Sequence, residues 1–434
     1  MKVRKHLSAD GLLKMVKKRF SEIKDHRPIN VEIPLEDVLM SGLAMFSLKD
    51  PSLLAFDQRR KEPENLTRVF GIKRIPSDTQ MRKILDGVNP EEIRPLFKRV
   101  FEQLQRGKEL EKMKYMGNYY LASLDGTGYF KSEKVHCANC LEKHYKRSGK
   151  TIYSHQMLGG AIVHPERREV IPLAPEPIIK QDGIEKNDCE RNAAKRFLAK
   201  LRQDHPRLPL IIIEDALSAN APHIKLLKEH NLRFILGVKS GDHGYLFDCV
   251  DQADEAGRTT HVEIEKEGVI HRFRFLNDVP LNESNRDVRV NFLEYWEIKS
   301  GKTRHFSWVT DFTLTSENAF ALMRGGRARW KIENETFNTL KNQGYQFEHN
   351  FGHGHQHLSV VFAFLMMLAF AIDQAQQLSC QLFQAAWAKV GSKRALWEKM
   401  RGLFSNLPLD SMTMIWRAIA FGFRVEGVVI NDTS

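Results

Sequence analysis

A chain of 434 residues, 42% of them hydrophobic, has room for about two to four domains and can bury a sizeable core. Its 66 Lys and Arg against 54 Asp and Glu leave a net charge of +12, which argues against an acidic, disordered chain and suits a polyanion lying over a broad basic face. Five cysteines, an odd and sparse set, argue against a disulfide framework and fit a reducing, cytoplasmic setting.

Residues 1–115 read as helical. GLLKMVKKRFSEI has helical apolar spacing, PLEDVLMSGLAMFSL is strongly apolar, and EEIRPLFKRVFEQLQR is amphipathic. IPSDTQMRKILDGV opens with Pro76, Ser77 and Asp78, a good helix start. Basic residues recur at 2–24 (Lys2, Arg4, Lys5, Lys14, Lys17, Lys18, Arg19, Lys24), 59–74, 141–150 and 322–341. Short helices with such residues on their outer sides suit a DNA-binding region; a plain helical bundle fits equally. No charged-then-apolar leader opens the chain, so no signal peptide is expected.

From residue 116 to 244 the pattern becomes α/β. GNYYLASLDGTG reads as a strand ending in Asp125, and SHQMLGGAIVHPERREVIPLAPEPI as two further strands joined by a polar turn. DCERNAAKRFLAKLRQDH is a helix, LPLIIIEDA a buried strand, APHIKLLKEHN a helix and LRFILGVK a strand. The apolar run Leu210–Ile213 predicts a strand covered on both faces of a mixed sheet. Residues 245–315 alternate as strands and read as an inserted β-domain. Helix resumes over 316–375, with a pause at Gly325-Gly326, and continues through 376–434. Val360–Ile372 is too short for a membrane span of about 20 residues and reads as a core helix; no membrane partner is expected.

Two strands lead into a carboxylate, Asp125 in SLDGTG and Asp215 in IIIEDALS. Active groups of open α/β sheets gather at the carboxyl ends of strands. Two acids there, joined by a third from a helix, can hold Mg²⁺, which takes hard oxygen ligands; Mn²⁺ can substitute. Taken singly, each Asp is a strand-end turn or a cap. The third acid lies on RARWKIENETFNTLK, where Glu333 and Glu335 compete. Helical spacing puts Arg329, Glu333, Phe337 and Leu340 on one face. Glu333 then sits at the edge of the buried stripe, whereas Glu335 shares a solvated stripe with Lys331, Asn338 and Asn342. Arg329 and Lys341 are candidate phosphate contacts, with solvated charges as the plainer reading.

LDGTG, then IIIEDALS, then a β-rich stretch, then RWKIENETFNTLK resembles the DDE transposases of bacterial insertion sequences, over about residues 28 to 375. The resemblance implies a ribonuclease-H-like core: a mixed sheet flanked by helices, with a β-rich insertion and helical N- and C-terminal regions. It implies a catalytic and metal-binding triad of Asp125, Asp215 and Glu333. It also implies cleavage of double-stranded DNA at transposon ends, joining to target DNA, and a homodimer on that DNA. Arg329 and Glu333 match the family's Arg–Glu spacing. Gly326 stands where the family has Tyr, and Leu340 where it has Lys, with Lys341 one residue late. A metal-dependent nuclease without strand transfer, and a non-catalytic DNA-binding protein, are the alternatives.

Two further features stand out. VHCANCLEKH holds His136, Cys137, Cys140 and His144, a candidate zinc site beside the plainer reading of metal-free neighbours. Trp308 could stack on a DNA base, although a core Trp on a strand is the more common role.

Overall fold

The computed structural model describes residues 4–28, 30–180 and 189–424; Lys2 of the first basic run and Asp188 at the head of DCERNAAKRFLAKLRQDH lie outside them. The chain forms two compact units, one of residues 1–108 with 339–434 and one of residues 109–338. Five consecutive segments are what the sequence predicts. Instead, the helices at the two ends of the chain share one core.

That helical unit begins with α1 (Ala9–Phe20), α2 (Leu35–Ser47), α3 (Leu53–Arg59), α4 (Glu64–Phe70), α5 (Asp78–Asp86) and α6 (Pro95–Arg106). Ser8 caps α1 by accepting the Gly11 N–H. Ser77 and Gln80 form a capping box at α5, which satisfies two of the amide donors a helix start leaves open.

The second unit is built on one mixed sheet, with twelve strands among the described residues. They are β1 (Lys114–Tyr115), β2 (Tyr119–Ser132), β3 (Leu141–Tyr145), β4 (Lys150–Val163), β5 (Ile171–Pro172) and β6 (Glu176–Ile178), then β7 (Leu210–Glu214) and β8 (Arg233–Gly237), then β9 (Thr260–Lys266), β10 (Val269–Pro280), β11 (Arg289–Lys299) and β12 (Lys302–Thr310). Helix α7 (Glu190–Asp204) precedes β7, α8 (Ala221–Glu229) precedes β8, and α9 (Gly244–Glu255) precedes β9. β2 pairs antiparallel with β4, and β4 with β5 and β6. On its other edge β2 runs parallel to β7, and β7 to β8. The sequence predicts three strands before the first helix and six form, β1 and β3 being unforeseen and the last predicted strand divided into β5 and β6; the helix, strand, helix, strand that follow are as predicted.

Within the predicted β-stretch 245–315, residues 260–310 do form strands, but not a separate domain, and the stretch opens on helix α9 rather than on a strand. β12 pairs with β8 through Trp308, Val309 and Thr310, so β9–β12 continue the same sheet. This is a correction: the alternating pattern identified the strands but carried no sign of which edge they would join.

Helices cover both faces. Gly159 and Gly160 are consecutive on β4 and therefore face opposite ways. A Cβ on Gly160 would come within 2.3 Å of the Phe197 ring on α7, and one on Gly159 within 2.8 Å of the Phe337 ring. Phe337 ends a π-helical segment, Ile332–Phe337, which follows α10 (Ala319–Arg327). α10 runs through Gly325-Gly326, where the sequence predicts a pause. The glycines serve close approach instead: a Cβ on Gly326 would lie 2.4 Å from the Trp308 indole nitrogen. Trp308 is accordingly buried, 5% exposed, and is a core residue, not an open stacking surface.

The chain returns to the helical unit through α11 (Asn338–Asn342), then α12 (Leu358–Ser379), α13 (Gln381–Val390), α14 (Lys393–Asn406) and α15 (Met412–Phe421). α12 has 22 residues and a mean hydropathy of 2.0, enough by length to cross a membrane, yet 94% of its apolar window is buried. The apolar run alone understated its length; its burial against α1, α2, α5 and α6 is what makes it a core helix. Asp86 accepts the backbone N–H groups of His355, Gln356, His357 and Leu358 at its start. Burial alone would raise that carboxyl, but these four donors hold it below the usual Asp value. Deeper in the unit, Lys49 lies fully buried with its ammonium 2.5 Å from Asp373 and over the rings of Tyr345 and Trp397 at 4.5 and 4.4 Å.

Candidate active site

The parallel pairing of β2 with β7 stops at Ser123 and Ile213. Asp125 lies two residues beyond on β2, and Asp215 just past the end of β7. The two carboxylates therefore leave neighbouring parallel strands at the same end. β2 itself does not end at Asp125 as predicted; it runs on to Ser132 as the partner of β4.

Each Asp is oriented by local hydrogen bonds. Asp125 accepts the Gly126 N–H at 2.9 Å on Oδ1 and an Arg329 N–H at 3.1 Å on Oδ2. Asp215 accepts the Leu217 N–H at 3.0 Å, capping the short turn Ala216–Ser218. The cap reading and the site reading of Asp215 thus both describe it. Its neighbour Glu214 is turned inward and 5% exposed. There it meets His223 Nε2 at 2.6 Å and accepts from the Ser218 hydroxyl at 3.1 Å. Burial would lower the His223 pKa, but the Glu214 charge and hydrogen bond raise it overall.

The helical segment after α10 is fastened to this sheet. The Ser123 hydroxyl donates to the Arg329 carbonyl at 3.0 Å, and the Phe337 ring rests on Gly159, which stands opposite Asp125 in the β2–β4 register. Between these two anchors lies Glu333. The expected exposures are reversed, since Glu333 is exposed and Glu335 half-buried; the π-helix widens the turn and shifts which residues face inward. Even so, Glu333 is the acid whose charge acts on Asp125. Burial chiefly, with repulsion from Asp215 and Glu333, raises the Asp125 pKa against the opposing pull of Arg329.

A fourth acid joins them. Glu190, on the first turn of α7, has its carboxyl raised by burial and by Asp125, Asp215 and Glu214. A Cβ on Gly126 would come within 2.1 Å of its Oε1, so the glycine of LDGTG is what lets this carboxylate lie over β2. In the sequence Glu190 is only an acid near a helix start, and nothing there signals its partner. Asp125, Glu190, Asp215 and His223 line a cleft of about 990 Å³. Asp215, Arg327, Arg329 and the half-exposed Trp330 line a second of about 380 Å³.

The proposed phosphate contacts are otherwise engaged here. Arg329 pairs with Asp125 and stacks on Trp330 at 4.6 Å. Lys341, in the helical unit, pairs with Glu348 at 2.9 Å.

The raised Asp125 gives a pH test. A carboxyl whose pKa is raised by folding favours the native state while protonated, and that contribution is lost as pH rises through the folded value. Without divalent metal, Asp125→Asn is expected to melt close to wild type near pH 3 and increasingly above it towards neutrality, in thermal melts across that range. A variant melting below wild type at pH 7 would mean that the Arg329 pair outweighs the burial and repulsion.

The Cys and His residues separate differently than expected. Cys137 and Cys140 lie 3.9 Å apart, and both approach His155 Nε2, at 3.4 and 3.5 Å. His136 instead approaches the Lys134 carbonyl and stacks on Tyr153, and His144 approaches the Thr151 hydroxyl. His155 was missed because it lies 15 residues beyond Cys140 on β4, where it reads as an ordinary strand residue.

The chain matches no protein-family model and no curated protein.

Proposed function

We propose that this chain is a DDE-type transposase with a ribonuclease-H-like core, which cuts phosphodiester bonds at transposon ends and joins them to target DNA. One observation carries the reading: Asp125 and Asp215 lie at the same end of adjoining parallel strands, with the segment that bears Glu333 fastened to the same sheet through Ser123 and Gly159. One point along the Glu333 helix bears on the departure at Leu340, which stands at the family's Lys position and is fully buried. A π-turn holds one residue more than an α-turn, the same offset by which Lys341 is late.

The donor set fits Mg²⁺ or Mn²⁺. It consists of carboxylate oxygens, hard ligands whose mutual repulsion a divalent cation would relieve. Asp125, Asp215 and Glu333 would hold the ion, which when bound supplies activation of the attacking oxygen and neutralisation of charge at phosphorus. The protein's own part is positioning. The Ser123–Arg329 bond and the Phe337–Gly159 contact fix the helix that presents Glu333, and Glu214, turned inward onto His223, leaves the strand end to Asp215. Arg329 can turn from Asp125 to a phosphate once a cation takes its place. A water attacks the phosphorus at the transposon end and breaks its P–O3′ bond, freeing a 3′-hydroxyl. That hydroxyl then attacks a target phosphodiester, whose own 3′-oxygen leaves as the new P–O bond forms, and solvent balances the protons.

The deciding experiment incubates the protein with its flanking DNA ends and Mg²⁺ and maps the products. Cut and joined ends are expected. Cutting without joining would leave a metal nuclease, and binding alone would leave a DNA-binding protein. Two ends must act in concert, so sizing of the active complex should give at least a dimer. Many Lys and Arg facing phosphates also predict a steep salt dependence. Between about 50 and 200 mM salt, affinity should fall on the order of 10³-fold or more, and a flat log–log plot would rule out a broad electrostatic footprint.

A further inference from the structure

We propose that Cys137, Cys140 and His155 form a zinc site that ties the β2–β3 connection to β4. The three donor atoms make a nearly equilateral triangle with edges of 3.9, 3.4 and 3.5 Å. Zinc at about 2.3 Å from sulfur and about 2.0–2.1 Å from imidazole nitrogen, in tetrahedral array, requires edges of about 3.8 Å between sulfurs and about 3.6 Å from sulfur to nitrogen. A disulfide is a different geometry, with sulfurs about 2.05 Å apart.

The surroundings are shaped for such an ion. Cys140 is fully buried and His155 is 1% exposed. His155 stands opposite Phe130 in the β2–β4 register and stacks on Tyr129, which fixes its ring plane. The Cys-x2-Cys turn is closed by the Cys140 N–H donating to the Cys137 carbonyl at 3.2 Å and the Cys137 N–H directed at Cys140 Sγ at 3.5 Å. Soft thiolates with one imidazole select zinc over the hard cations suited to carboxylates, so this site and the acid cluster take different metals. Binding deprotonates both thiols and releases their protons to solvent. A further donor, from water or the protein, completes the four-coordinate shell. The tie has a local consequence, because Leu141, Glu142 and Lys143, directly after Cys140, form one wall of the 990 Å³ cleft.

The test needs no DNA, so its outcome is separate from that of the transposase assay. Full-length protein purified under reducing conditions should carry about one zinc per chain after dialysis, by elemental analysis. Cys137→Ser and His155→Asn should each lose at least about nine-tenths of it, while His136→Asn and His144→Asn keep it. Replacement by Co²⁺ should give a thiolate-to-cobalt charge-transfer band in the near ultraviolet that Cys137→Ser abolishes. Cys137 is only partly buried, so this variant decides the matter even where His155→Asn fails to fold. Zinc-free wild-type protein without a cobalt band, or zinc kept by both Cys137→Ser and Cys140→Ser, would overturn the site.

Discussion

Asp125→Ala, Asp215→Ala and Glu333→Ala are each expected to reduce DNA cleavage and strand transfer on the order of 10³-fold or more, since ligands of one metal centre act as a unit. On the proposed reading, DNA binding should stay within a few-fold of wild type, because it would rest on Lys and Arg contacts to phosphate. Glu335→Ala is the control and should keep most activity. The structure sharpens the choice: Glu335 is the more buried of the two, so some loss of stability in that variant is expected, with the chemistry intact. An inactive Glu335→Ala beside an active Glu333→Ala would transfer the third position to Glu335. Normal cutting by Asp125→Ala or Asp215→Ala would refute the enzyme class. Glu190→Gln adds information on the acid found only in the fold. It should lower activity less than loss of a triad member, and no effect would make Glu190 a bystander on Gly126.

Asp373→Asn is expected to destabilise the helical unit by about 3–5 kcal/mol, the usual result of leaving one member of a buried ion pair uncompensated. Lys49 is completely enclosed, with its ammonium against Asp373, and burial already lowers its pKa despite that partner. The Tyr345 hydroxyl donates to the same carboxylate at 2.6 Å, so the substitution disturbs two buried groups at once. The melting temperature should drop on the order of 10 °C. The double variant Lys49→Met with Asp373→Leu should recover much of that loss, as apolar replacements of buried pairs often do. A single variant melting within a degree or two of wild type would show that Lys49 is neutral in the native state and that the pair carries little charge.

The two Asp positions are legible in the sequence because each follows a run of strand-forming apolar residues, and parallel pairing of two such strands brings the residues after the runs to the same end. The capped helix at Ser77 and the buried strand Leu210–Glu214 were legible for similar local reasons. What stayed hidden depends on contacts between distant residues. Glu190 matters only because Gly126 makes room beneath it, and His155 only because β4 folds back beside the Cys-x2-Cys turn. Gly325-Gly326 reads as a break because glycine weakens helices, yet here packing against Trp308 and Ile235 prevails. The joining of β12 to β8 is likewise a matter of partner strands, on which alternation is silent. The Glu333 face was inferred with α-helical spacing, and a π-segment occupies the place. The exposures expected from that spacing are reversed, with Glu333 exposed and Glu335 half-buried.

Ser123 and Arg329 meet across 206 residues of sequence, and everything from β3 to α10 is made between them. A chain synthesised from its N-terminus therefore carries Asp125 and Asp215 well before it carries the segment that brings Glu333 to them. Closing so long a loop comes late in folding, since distant pairings form after local ones. On the proposed chemistry, a nascent chain or a truncated product ending before Lys331 holds two acids of three and is inert on DNA. The order of synthesis itself thus keeps the acid cluster incomplete until the fold is closed.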